Sequence, residues 1–188
     1  KQALAGEETD DRTGLFTSGV VSTREGRRLA LFFSGRRHAG ENLADVLQHR
    51  AEELQRPIQM CDALSRNFSG DLQTIVANCL AHGRRQFVDV VDRFPDECEY
   101  VLKAMKIVYR VDAEARKRKL SSAKRLRLHR TKSQQTMTRL HNWLRRQLYA
   151  KLVEPNSALG EAITYMLKLW KGLTLFLEDP RIPLDNNA

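Results

Sequence analysis

The spacing of apolar positions changes once along the chain, near Pro95. Before that point they fall in short runs. Leu15 to Val21 and Arg28 to Ser34, rich in Val, Leu and Phe, flank Ser22-Thr23-Arg24-Glu25-Gly26 and predict a β-hairpin. Gly40-Glu41-Asn42 opens a helical pattern with Leu43, Val46 and Leu47 on one face, running to about Leu54 and stopped by Pro57. Ile58 to Cys61 reads as a strand, a short helix is expected near Asp71, and Thr74 to Cys79 reads as a second buried strand. A helix from about His82 to Arg93 closes this part at Phe94-Pro95.

Beyond Pro95 the apolar period is that of helices, with no strand signal. Val101, Met105 and Val108 share a face of one helix, and Met137, Leu140, Leu144 and Leu148 a face of a second. Leu159, Ile163, Leu167, Trp170, Leu173 and Leu177 share a face of a third. Ser121-Ser122 can cap the second helix, Pro155-Asn156-Ser157 separates it from the third, and Pro180 and Pro183 end the pattern. Three amphipathic helices predict a small bundle, with Trp143 and Trp170 expected in its core and the stripes needing no cofactor.

With 41% apolar residues in 188, the chain can bury a core. No apolar run approaches the length of a membrane span, and the first residues have no secretory pattern, so no membrane partner and a cytosolic protein are expected. Cys61, Cys79 and Cys98 form no CxxC pair, which excludes a disulfide framework and a cysteine zinc site; Cys61 and Cys79 are expected to be small buried hydrophobes. Charge is unevenly spread. Lys103 to Lys151 holds sixteen lysines and arginines against Asp112 and Glu114, whereas the whole chain is only +9, so the remainder is acidic. A block so poor in balancing acids favours phosphate backbones over a merely solvated helical face.

One carboxylate stands where open α/β sheets present chemistry. Asp62 follows Pro57-Ile58-Gln59-Met60-Cys61 directly and precedes a turn-prone stretch, so a strand would fix it at a rim open to substrate. A magnesium site needs further oxygen ligands, and the Asp185-Asn186-Asn187 end is a place from which an acid could return. Taken alone, Asp62 reads as structural and Asp185 as a cap or turn residue. His82 has three open roles: a partner near the carboxylates, a DNA contact, or a helix-start residue. Arg84 and Arg85, expected on the first turn of that helix, would oppose its dipole and call for a nearby anion.

Several longer runs resemble the DDE-type bacterial transposases of the insertion-sequence-sixty-six group. They are Arg12-Thr13-Gly14-Leu15-Phe16-Thr17-Ser18-Gly19, Gly35-Arg36-Arg37-His38-Ala39-Gly40-Glu41-Asn42 and Met60-Cys61-Asp62-Ala63-Leu64-Ser65-Arg66-Asn67. Asn78-Cys79-Leu80-Ala81-His82-Gly83-Arg84-Arg85-Gln86-Phe87, Glu154-Pro155-Asn156-Ser157 and Pro183-Leu184-Asp185-Asn186-Asn187 continue them in the family's order. The resemblance implies an α/β fold, a ribonuclease-H-like mixed sheet with an all-α helical insertion. It divides the chain into a partial core over 1–95, an insertion over 96–180 and a return segment over 181–188. Asp62 would be the second catalytic aspartate, binding Mg2+ or Mn2+, and Cys79 with His82 would match a CxxH pattern that follows it. Asp185, Asn186 and Asn187 would begin the segment carrying the third acid.

The first aspartate is expected on a central strand upstream of Lys1, for which Asp10 and Asp11 are poor substitutes, and the closing glutamate beyond Ala188. The resemblance thus implies a fragment, inactive by itself, of a protein that cleaves transposon ends and joins them to target DNA. DNA would be the partner, in a homo-oligomeric synaptic complex associated with the bacterial nucleoid. Lys124, Arg125, Arg127, Arg130 and Lys132 are expected to contact phosphate without base specificity. The rival readings are a non-catalytic nucleic-acid-binding module with a basic bundle, and a helical protein whose basic helix meets an acidic partner.

Overall fold

The computed structural model describes residues 14–24, 27–51, 53–62, 67 and 74–185. They divide into two compact units. The first is built from strands β1 (Phe16–Arg24) and β2 (Arg27–Gly35) and helix α1 (Ala39–Gln48). The hairpin register, with Phe16 opposite Gly35 and Arg24 opposite Arg27, matches the two expected runs, each strand extending slightly beyond them. Helix α1 begins with the His38 amide donating to Glu41 Oε2 at 2.7 Å, and an Arg37 to Asp45 ion pair supports its first turns. It ends at Gln48, short of the expected Leu54, because the Arg50 guanidinium takes the carbonyls of Leu54 (3.1 Å) and Gln55 (2.6 Å).

The second unit holds β3 (Ile58–Cys61), β4 (Ile75–Asn78) and all the remaining helices. Strands β3 and β4 are parallel, with Ile58 opposite Ile75 and Cys61 opposite Asn78. The described strands form two sheets of two strands each, with no ladder joining them among the described residues; the central strand between the hairpin and the strand before Asp62 is expected upstream of Lys1. The apolar side chains Ile58, Met60 and Ile75 of the parallel pair pack on the helical core. The helix expected near Asp71 lies outside the described residues.

Helix α2 (Leu80–Val88) starts two residues earlier than expected and is shorter. Helix α3 (Pro95–Lys117) has Pro at its first position, Asp96 and Glu97 in the first turn and Arg116 and Lys117 in the last, each favourable to the dipole. It ends with Lys119 left-handed (φ 49°), its amide bonded to Arg116 O and that of Leu120 to Ala115 O. The second expected helix is broken into α4 (Ser122–Lys132) and α5 (Gln134–Tyr149) at Ser133, and the third into α6 (Ala158–Lys168) and α7 (Trp170–Thr174) at Leu169. A turn of 3-10 helix, Leu175–Leu177, follows.

The core is the one the stripes specify: Val101, Met105, Val108, Met137, Leu140, Leu144, Leu159 and Ile163 are buried together. Trp143 and Trp170 border it half-buried, Trp143 stacked on Tyr100 (4.6 Å) and Trp170 tilted on His141 (4.7 Å). Cys79 and Cys98 are buried, Cys61 is half-buried, and all three are free thiols. No described helix is long and apolar enough to cross a membrane.

Candidate active site and basic helical face

Two chain-distant segments meet at the start of α2. The Cys79 amide donates to Cys61 O (3.3 Å), extending the β3–β4 ladder by one bond, and the next amide, Leu80, donates to Leu184 O (2.9 Å). Asp62 follows Cys61 and Asp185 follows Leu184, so consecutive amides of one helix start anchor the residues that precede both carboxylates. The positive end of the α2 dipole favours negative charge there. Residues 186–187 of the return segment lie outside the described residues.

Two tyrosines of the helical part face this place. Tyr165 Oη on α6 donates to Asp62 O at 3.3 Å. Its hydroxyl pKa is raised by burial first, then by Asp62, Cys79 and Cys61. Tyr109 on α3 is pushed up further, by burial, by the Asp185 carboxylate and by Cys79, with Arg84 opposing. Asp185 acts on Tyr109 as a neighbouring charge, because the hydroxyl makes no hydrogen bond of ordinary geometry. Asn78 Nδ2 and His82 Nδ1 are likewise buried without a hydrogen-bond partner. Among the described residues, these three orphaned atoms belong to residues at or facing the β4–α2 junction. Gly172 of α7 closes the junction from one side, since a Cβ there would overlap Asn78 Oδ1.

Because α2 begins at Leu80, Arg84 and Arg85 are not on its first turn. Arg85 lies in the last turn, where a cation is favourable, and the argument for a compensating anion lapses. Both side chains are exposed. Among the described residues no three His, Cys, Asp or Glu side chains come close enough to hold one metal ion.

The basic residues of α4 divide in two. Lys124 and Arg127 are exposed, with no ion pair among the described residues. Arg125, Arg130 and Lys132 are engaged: Lys132 Nζ pairs with Glu114 (2.9 Å), Arg130 Nε donates to Leu177 O (2.9 Å), and Arg125 Nη2 donates to Ile182 O (2.6 Å). Arg125 also approaches Asp112 Oδ1 at 3.6 Å. That carboxylate is buried and accepts from His129 Nε2 (3.2 Å), while His129 Nδ1 meets Ser133 Oγ (3.0 Å) and Arg116 pairs with Oδ2 (3.2 Å). Burial alone would raise the Asp112 pKa, but the His129 hydrogen bond and the charges of Arg116 and Arg125 hold it below its ordinary value.

The serine, histidine and aspartate stand in the order of a nucleophilic triad. Ser133 is completely buried, however, and the row ties α3, α4 and α5 together as structure. The network went unread in the sequence, although its spacing was visible. Asp112 continues the stripe of Val101, Met105 and Val108, and Ser133 precedes Met137 at the same interval. Tyr109 and Tyr165 carried no such signal.

The family model described as "Transposase IS66 family" matches residues 3–188. The chain belongs to the IS66 family of transposases. Two relatives of this family member come from Sinorhizobium fredii. Uncharacterized protein y4jD is 30% identical over 184 residues, covering 93% of this chain and 31% of that protein. Uncharacterized protein y4hP is 32% identical over 123 residues, covering 60% of this chain and 22% of that protein. The IS66-family chain thus spans a third or less of the length of these relatives. No solved structure matches it.

Proposed function

We propose that this chain forms part of the catalytic region of a DNA transposase, with Asp62 as a metal-binding acid and the Asp185-Asn186-Asn187 segment returning beside it. The observation that carries the reading is that consecutive amides at the start of α2 hold Cys61 and Leu184, the residues directly before Asp62 and Asp185. Segments far apart in sequence are what a two-metal phosphoryl-transfer site needs, because each cation must be shared among acids from separate elements. Mg2+ or Mn2+, when bound, would activate the attacking water or 3′-hydroxyl and stabilise the leaving oxygen. This chain's own residues would hold and orient: Asp62 as ligand, His82 with its unpaired Nδ1 on the first turn of α2, and Tyr165 as a donor to the Asp62 carbonyl. A ribonuclease-H-like parentage, with the helical part as an insertion, agrees with a parallel pair whose first strand, β3, is followed directly by an acid.

Lys124, Arg127, Arg84 and Arg85 would contact DNA phosphates, being exposed and basic. Assembly of two ends in a homo-oligomeric synapse belongs to the same reading. The deciding experiment compares wild type and Asp62→Asn in the complete protein on a duplex bearing an element end with Mg2+. Strand cleavage should fall by about a thousandfold or more with retention of the duplex unchanged, as expected when a group stabilising transition-state charge is removed.

The non-catalytic nucleic-acid-binding alternative rests on the exposed basic residues of α4, Lys124 and Arg127. Under that reading Asp62→Asn would alter neither cleavage nor binding.

A further inference from the structure

Within itself, the chain from Leu175 to Asp185 makes only local turns among its described bonds: the Glu178 and Asp179 amides reach Leu175 O (2.9 Å each), and the Ile182 amide reaches Asp179 O (3.2 Å). Pro180 and Pro183 supply no amide and interrupt any ladder, and the carbonyls that follow the 3-10 turn have no helix to receive their bonds. Side chains of α4 take over that task. Arg130 donates to Leu177 O (2.9 Å) and Glu178 O (3.4 Å), and Arg125 to Pro180 O (3.3 Å) and Ile182 O (2.6 Å). Arg125 is itself anchored from behind by buried Asp112, and its side chain is only 20% exposed. Such a guanidinium has its donors committed and little face left for a phosphate. Beyond the clamp, Ile182 and Leu184 are buried in the core, and Leu184 O meets the Leu80 amide where α2 begins.

We propose that Arg125 and Arg130 are positioning residues, holding the 177–184 strap against α4 so that Asp185 is delivered to the start of α2. The proposal rests on the reading of that place as the catalytic site, and it takes two arginines out of the expected DNA face. It also gives the bundle a role in the chemistry, since whatever moves α4 moves an acid of the site.

Amide hydrogen exchange on this chain tests it, with duplex retention at low salt measured on the same samples. Arg125→Gln should speed exchange of the Leu80 and Ile182 amides about tenfold or more, as local opening becomes easier. The core amide of Leu140 should stay unchanged, and so should duplex affinity, within about twofold by the same local-opening argument. The double variant Lys124→Gln with Arg127→Gln should do the reverse, weakening retention and flattening its salt dependence with Leu80 protection intact.

Should Arg125→Gln fail to fold because Asp112 loses a partner, Arg130→Gln gives the same readout, since its guanidinium donates to the strap carbonyls and makes no ion pair with Asp112 among the described residues. Wild-type protection at Leu80 and Ile182 in these variants would overturn the proposal, as would a loss of duplex binding equal to that of the Lys124 and Arg127 double variant. Should the wild-type chain retain no duplex at all, the DNA-binding reading fails while the exchange result still decides the clamp.

Discussion

Asp112 shows how a single residue can carry more than its charge. It is one of two acids in a strongly basic stretch, and it is buried with His129, Arg116 and Arg125 gathered on it. Replacing it by Ala leaves buried cationic and polar partners uncompensated and should cost about 3 to 5 kcal/mol in urea unfolding. Its folded pKa lies below the ordinary 3.8, so its contribution is fully present above that value and is lost as pH falls through the folded pKa. The melting temperature of wild type should therefore drop steeply below about pH 4, and that of Asp112→Ala, already lower at neutral pH, should show a shallower acid limb.

Gly172 is a second sensitive position, because a methyl group there would collide with Asn78 at the end of β4. Gly172→Ala should destabilise by about 1 to 3 kcal/mol, the usual cost of overpacking, and calorimetry reads it. Asp62 and Asp185 were legible because acids after apolar runs are conspicuous. The meeting at the start of α2 was not, since it depends on the bonds of Cys79 and Leu80 to carbonyls far away in the chain.

Among the elements, the apolar stripes read correctly where packing and period agree, as in α3, α5 and α6. Ends and breaks read less well. Helices α3 and α5 both stop at a left-handed lysine, Lys119 and Lys151, where glycine is the usual signal, so composition gave no warning. A side chain in that conformation is disfavoured, and Lys119→Gly should stabilise by about 0.5 to 1 kcal/mol, visible as a rise in the urea midpoint. The break at Ser133 has a side-chain cause: its hydroxyl turns to buried His129 within the helical run. Basic α4 was read as one face toward phosphate, yet Arg125 and Arg130 turn to the carbonyls of the return segment, because two prolines leave that segment without a ladder.

At the scale of the whole molecule, the hairpin with α1 and the parallel strands with the helices form separate compact units, and no ladder joins the two strand pairs among the described residues. Register within each pair follows from neighbouring residues, whereas joining pairs depends on contacts that no short run encodes. Family membership, read from motifs spread over almost the full chain, matches the family model over residues 3–188.

The central claim is that the residues after β3 and the end of the return segment build one cation-binding place. Adding Mn2+ to the complete protein and following paramagnetic broadening of the amide resonances of this region tests it most directly. The account predicts that Asp62, Leu80 and Asp185 broaden together and that Asp62→Asn abolishes the effect. Broadening at Asp62 without Asp185, or a pattern untouched by Asp62→Asn, would contradict it.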